Sequence, residues 1–174
     1  MAERKGAVTF QGNPLTLVGD ELAVGDRLPD VELLANDLTP VKLSSYCGKV
    51  CVIASVPSLD TPVCDTETRR FNQEAGRLGP PDVSVLTVSM DLPFAQKRWC
   101  GAAGVTNLRV LSDYRDASFG RAYGVLIKDL RLLSRTIFIV DKERKVRYVQ
   151  AVQELTNEPD YNQVLEALSG LKGA

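Results

Sequence analysis

Residues 50–56 read Val-Cys-Val-Ile-Ala-Ser-Val, a run that lacks the polar alternation of a strand with one wet face. A β-branched run of this kind is a strand buried on both sides, and it needs helices packed above and below it. Similar runs at 83–89 and 136–141 predict further buried strands, and 145–150 predicts a last one across the turn Asp141-Lys142-Glu143-Arg144. Helical patterns fall between them, near 62–77, 92–103, 116–123 and 160–170. Strands alternating with helices predict an α/β fold, and the late hairpin makes its central sheet mixed. Ahead of this core, residues 8–10 and 15–17 flank Gly12-Asn13-Pro14 and predict a short N-terminal hairpin, and an edge strand is expected near 41–43. Gly79-Pro80-Pro81 reads as a break between a helix and a strand, and nothing resembling a linker or repeat divides the chain. A single domain over 1–174, with residues 1–20 as a hairpin extension, is expected.

A chain of 174 residues, 44% hydrophobic and 25% charged, suffices for one domain with a sizeable core. Its net charge of -1 argues against nucleic acid or an anionic membrane as partner. There is no apolar run of bilayer-spanning length, and Met1-Ala2-Glu3-Arg4-Lys5-Gly6 lacks the apolar centre of a signal peptide. A cytoplasmic location is expected.

The chemistry begins where the first buried run ends. Pro57-Ser58-Leu59-Asp60-Thr61-Pro62-Val63-Cys64 leads into a helical segment, with Thr61 suited to the N-cap and Pro62 to the first helical position. Cys64 then falls in the first turn, where unpaired amides and the positive end of the helix dipole favour negative charge on sulfur. An unperturbed thiol, with a pKa near 8.5, is only about 3% ionised at pH 7, and a helix terminus contributes about 0.3–1 kcal/mol. A reactive thiol therefore needs a second positive group. The chain contains no histidine, so that group must be Arg or Lys.

Arg69 and Arg70 are near in sequence, but a helix carries them a turn or more past Cys64, toward solvent. Arg135 stands at the mouth of the 136–140 run, positioned to project into a cleft at the sheet edge, where a guanidinium could serve both a sulfur and a bound oxygen. Taken alone, an arginine there also reads as a strand-flanking surface residue.

Cysteines occur at 47, 51, 64 and 100. Their spacing contains no Cys-x-x-Cys, which disfavours a zinc site and a thioredoxin-type dithiol, so no metal and no cofactor are expected. Any disulfide partner of Cys64 is distant in sequence. Cys100 is the best candidate, at the end of a segment that reads as a helix capped by Asp91, with Leu92, Ala95, Trp99 and Ala102 facing inward. A buried helical cysteine without a redox role is the alternative reading. Cys51 reads as core filling, and Cys47 belongs with it on the structural side.

Pro57, Thr61 and Cys64 reproduce the Pro-x-x-x-Thr-x-x-Cys signature of peroxiredoxins. The longer run from Pro57 to Asp65, followed by Thr68-Arg69-Arg70-Phe71-Asn72, resembles the thiol peroxidase subfamily, as do Val24-Gly25-Asp26 and Leu132-Leu133-Ser134-Arg135. The resemblance implies a thioredoxin-like fold, with a central mixed β-sheet flanked by helices and an N-terminal β-hairpin extension, working as an atypical 2-Cys peroxiredoxin. It implies that Cys64 is the peroxidatic cysteine, that Thr61 hydrogen-bonds its sulfur and the peroxide, that Pro57 shields the centre, that Arg135 is the active-site arginine and that Cys100 is the resolving cysteine. It further implies a hydroperoxide substrate, reduction by thioredoxin or a similar dithiol, and a homodimer. Cys47 and Cys51 lie outside that pattern. A redox sensor that oxidises without turnover and a thiol-disulfide oxidoreductase are the competing readings, the latter disfavoured because Thr61 stands where a second cysteine would be needed.

Overall fold

The computed structural model describes residues 1–78 and 82–172, so the expected break at Gly79-Pro80-Pro81 lies outside the described residues. In chain order the elements are β1 (Glu3–Phe10), β2 (Asn13–Val18), β3 (Glu32–Leu34), β4 (Pro40–Lys42), a single-turn 3-10 helix (Leu43–Tyr46), β5 (Val50–Ser55), α1 (Pro62–Leu78), β6 (Val83–Ser89), α2 (Pro93–Ala103), β7 (Arg109–Ser112), α3 (Ser118–Ala122), β8 (Leu126–Ile127), β9 (Leu132–Leu133), β10 (Thr136–Val140), β11 (Val146–Ala151) and α4 (Tyr161–Lys172).

Seven strands form the central sheet in the order β11-β10-β5-β6-β7-β3-β4. β5, β6 and β7 run parallel, while β10 and β11 on one side and β3 and β4 on the other run antiparallel, so the sheet is mixed as expected. Every residue of β5 and β10 is buried, which is why their sequences carry no alternation. Side chains of β5 divide between two cores. Val50, Val52 and Ala54 pack with Cys64, Phe71 and Val164 on one face, and Cys51 and Ile53 pack with Leu43, Tyr123 and Phe138 on the other.

The N-terminal hairpin is longer than its sequence pattern suggested, and its turn is Gln11-Gly12, both at positive φ, rather than Gly12-Asn13-Pro14. It joins β8 and β9 in a separate four-stranded sheet. Val8 and Leu17 there bury themselves against Ile127 and Leu155. β8 and β9, two residues each, were not anticipated, because so short a strand has no periodicity to read.

α2 departs from expectation in two respects. Asp91 does not cap it; Leu92 occupies the cap position without a side-chain hydrogen bond. The Asp91 carboxylate instead accepts from Ser58 Oγ at 2.7 Å, the Leu59 amide at 2.8 Å and Ser89 Oγ at 2.7 Å. Two donors distant in sequence, with Ser89 two residues away, outbid one helix amide, and the result pins the loop after β5 to the end of β6. The buried face is also rotated. Pro93 and Gln96 face inward, and Leu92 and Phe94 are exposed. Gln96 holds that orientation through bonds from Nε2 to Ser89 Oγ and the Leu111 carbonyl, each 2.9 Å.

Candidate active site

α1 starts as the local chemistry dictates. Pro62 occupies the first helical position, and the first ladder bond runs from the Asp65 amide to the Thr61 carbonyl at 2.9 Å, so the amides of Val63 and Cys64 precede the ladder. Cys64, Thr68, Phe71 and Ala75 recur at helical spacing and are buried against the sheet. Cys64 has no exposed surface, and Pro57, two residues past the end of β5, is buried as well. Thr61, exposed, stands at the N-cap with its hydroxyl donating to the Ser58 carbonyl at 2.8 Å. To donate toward the sulfur or a substrate, that hydroxyl has to rotate away from Ser58.

Arg135 is not a surface residue. It is 2% exposed, immediately before β10, and its Nη1 lies 3.4 Å from Cys64 Sγ. The antiparallel pairing of β10 with β5 brings residue 135 across from the end of β5, beside the start of α1. At this distance the guanidinium can donate a hydrogen bond to the sulfur and to an oxygen bound beside it. Its Nη2 donates to the Leu155 carbonyl at 2.7 Å. Leu155 in turn is fixed from the hairpin side, its amide donating to the Thr9 carbonyl at 2.9 Å and its side chain packed on Val8 and Leu17. The N-terminal sheet thus bears on the arginine through one backbone carbonyl.

A residue not anticipated completes the cluster. Glu67, fully buried and one helical turn after Cys64, pairs with the same Nη1 of Arg135 at 2.5 Å. Burial raises the Glu67 carboxyl from its ordinary value to about 7, although Arg135 pulls it down. The Arg135 guanidinium is held above its usual range by the charges of Glu67 and Cys64, which outweigh the desolvation that would lower it. The sequence did carry a signal for this residue. A glutamate on the inward stripe of α1, at the i+3 position from Cys64, has to find a cation or a proton.

Cys100 is half-buried on α2 and packs against the same core as Cys64. Burial pushes its thiol up, and a hydrogen bond from the Asn36 side chain opposes that rise. It lines a cavity of about 1000 Å³ together with Asn36, Lys97 and Asn107. All four cysteines are free thiols. Arg69 and Arg70 point away as expected, bonding to Asp65 and Glu74 along the helix.

A thioredoxin-type fold with a buried thiol at a helix start, in contact with a buried arginine, defines a thiol-based redox protein. Comparison with known proteins narrows the class. The redoxin family matches residues 23–165, leaving the hairpin ahead of the match. The thiol peroxidase of Halalkalibacterium halodurans is 55% identical over 92% of this chain and 96% of its own, and that of Bacillus subtilis is 53% identical over 94% and 97%. The crystal structure of a peroxiredoxin-like protein from Aquifex aeolicus superposes with a TM-score of 0.88 at 47% identity, covering 95% of this chain and 97% of that one. The chain belongs to the redoxin family and, within it, to the thiol peroxidase subfamily of the peroxiredoxins.

Proposed function

We propose that this chain reduces hydroperoxides to water or alcohols, with Cys64 as the peroxidatic thiol and Cys100 as the thiol that resolves it. The observation that carries this reading is the Arg135 guanidinium 3.4 Å from the buried sulfur at the start of α1. The Cys64 thiolate attacks one peroxide oxygen in line, the oxygen–oxygen bond breaks, and alcohol or water leaves as sulfenic acid forms. Arg135, the first-turn amides and a rotated Thr61 hydroxyl stabilise the charge on the departing oxygen, while Pro57 keeps bulk water out. The Cys100 thiol then displaces water from the sulfenic acid, giving an intrachain disulfide. A dithiol reductant of the thioredoxin kind restores both thiols, and the working unit is a cytoplasmic homodimer. Among the described residues no helix is long and apolar enough to cross a membrane.

One equivalent of hydroperoxide added to the reduced protein tests this, followed by peptide mapping and steady-state assays with a thioredoxin system. A Cys64–Cys100 bridge is expected, with no turnover in Cys64→Ser and one stalled turnover in Cys100→Ser. Full turnover by Cys64→Ser refutes the assignment.

A further inference from the structure

Two arms aim the Arg135 guanidinium. Nη1 donates to Glu67 and Cys64, Nη2 donates to the Leu155 carbonyl, and Nε has no partner among the described residues. Glu67 shares α1 with the sulfur, so the Leu155 carbonyl is the contact that aims the cation from outside the nucleophile's own helix. That carbonyl belongs to the peptide unit joining Leu155 to Thr156, a rigid plane whose N–H lies on its opposite edge. The Thr156 amide donates to Glu154 Oε2 at 2.9 Å, and the Thr156 hydroxyl donates to the same oxygen at 2.8 Å. Oε1 of the same carboxylate accepts from the Gly12 amide, in the hairpin turn, at 2.8 Å and from Thr9 Oγ1 at 3.0 Å. One side chain thus joins the hairpin to the plane that presents the carbonyl. The segment it belongs to also holds the arginine's main chain, because the Val152 amide donates to the Arg135 carbonyl at 2.9 Å. The Thr156 and Gly12 amides hold the Glu154 carboxyl down at about 2, so it is ionised throughout the neutral range.

We propose that Glu154 is a positioning residue for the Arg135 guanidinium, and that the N-terminal hairpin contributes to peroxide reduction by anchoring that carboxylate. The inference rests on the reading of Cys64 as the peroxidatic thiol. Without the carboxylate, the Leu155–Thr156 peptide loses the acceptor that fixes its N–H, and the plane is free to rotate about the bonds on either side. Rotation turns the carbonyl off Nη2. The guanidinium is then held by Glu67 alone, and its aim at the sulfur and at a bound oxygen loosens. The effect of Glu154 on the reaction passes through Arg135. The hairpin that anchors it, residues 3–18, precedes the redoxin match at 23–165, so this extension carries a share of the site's geometry.

Single-turnover oxidation of Cys64 by hydroperoxide, followed by quenched-flow mass measurement, tests the proposal in two backgrounds. With Arg135 present, Glu154→Ala is expected to lower the second-order rate constant about tenfold, and Glu154→Gln, which keeps one acceptor oxygen, by less. In Arg135→Met/Glu67→Gln, where the buried pair is gone, Glu154→Ala should lower the rate no further. Hydrogen exchange at the Thr156 amide, followed by NMR, should speed up in Glu154→Ala in both backgrounds, which reads the clamp without turnover. Should Glu154→Ala not fold, Glu154→Gln is carried through both backgrounds instead. An equal loss of rate in the two backgrounds marks a merely structural role and overturns the proposal, as does an unchanged rate or an unchanged Thr156 exchange with Arg135 present. A wild type oxidised elsewhere than at Cys64 removes the peroxidatic reading and this proposal with it, whereas a normal wild type beside an insensitive Glu154 variant removes this proposal alone.

Discussion

The indole nitrogen of Trp99 donates to the Asp65 carboxylate at 2.8 Å, which ties the residue after Cys64 to the residue before Cys100. Arg69 reinforces the tie, bonding to Asp65 at 3.0 Å and lying 5.7 Å over the Trp99 ring. These contacts hold α1 and α2 in a geometry with both thiols free. The proposed Cys64–Cys100 disulfide needs the two Cα atoms within about 7 Å, with Cβ vectors that converge, and local unwinding at one or both helices is the expected accompaniment of its formation.

Trp99→Phe keeps the ring and removes the hydrogen bond. A bond to a charged acceptor contributes about 1.5–3 kcal/mol, and part of it is lost before the sulfurs meet, so resolution should speed up by about tenfold. Stopped-flow fluorescence no longer has its tryptophan, so quenched-flow mass measurement of the Cys64–Cys100 bridge is the readout. A rate unchanged or reduced would mean that the contact guides the approach rather than restrains it.

Arg135 and Glu67 form a buried pair, and removing one partner leaves the other stranded. Arg135→Met alone should cost about 3–5 kcal/mol of stability, whereas Arg135→Met/Glu67→Gln should recover much of it. Peroxide reduction should stay depressed in both, by at least about a hundredfold, because the group beside Cys64 Sγ is missing in each. Urea unfolding and the second-order rate constant with hydroperoxide separate the two effects. Recovery of the rate in the double variant would show that Glu67, not Arg135, governs the sulfur.

How far these residues could be read in advance depended on whether their partners were local. Pro62 and Cys64 obey rules that operate within one helical turn, so the start of α1 is legible, although the Thr61 hydroxyl expected to cap it bonds the Ser58 carbonyl instead. Arg135 was legible from its place at the mouth of β10, but its burial depends on Glu67 and the Leu155 carbonyl, 68 and 20 residues away. Glu67 was overlooked because a glutamate in a helix ordinarily marks a solvated face. Asp-Leu-Pro satisfies the local rule for a cap at Asp91, and the competing donors Ser58 and Leu59 come from another part of the chain.

Asp91 also lends itself to a stability test. Its carboxylate joins the 58–59 loop to β6, and Pro57 and Thr61 flank that loop. Asp91→Ala removes three charge-assisted bonds and strands the Leu59 amide, for an expected loss of about 2–4 kcal/mol. Because the loop also sets the entry to α1, peroxide reduction should fall with stability, while Asp91→Asn, which keeps an acceptor, should retain more of both. Thermal unfolding and hydroperoxide kinetics on the two variants check this, and an Asp91→Ala protein with ordinary kinetics would detach the loop from the site.

The raised Glu67 carboxyl makes stability depend on pH in a stated direction. An acid whose value rises from 4.5 in the unfolded chain to about 7 in the folded one binds its proton more tightly when folded. Folding gains from that proton below pH 4.5 and loses the gain as pH climbs toward 7, for a total of about 3 kcal/mol, after which the dependence flattens. Glu67→Gln has no proton to lose there, so the difference between wild type and variant should grow in the variant's favour between pH 5 and 7. The same titration redistributes charge at the site. Below its midpoint a neutral Glu67 leaves the Arg135 cation to the sulfur, and above it the carboxylate shares that cation. Glu67→Gln, permanently neutral, should move the acid limb of the pH–rate profile for peroxide reduction to lower pH. Denaturant unfolding across this window, together with rates on the same samples, decides the point: parallel stability curves for the two proteins would place the Glu67 titration outside the range, and an acid limb displaced upward would mean that the carboxylate is needed to aim the guanidinium.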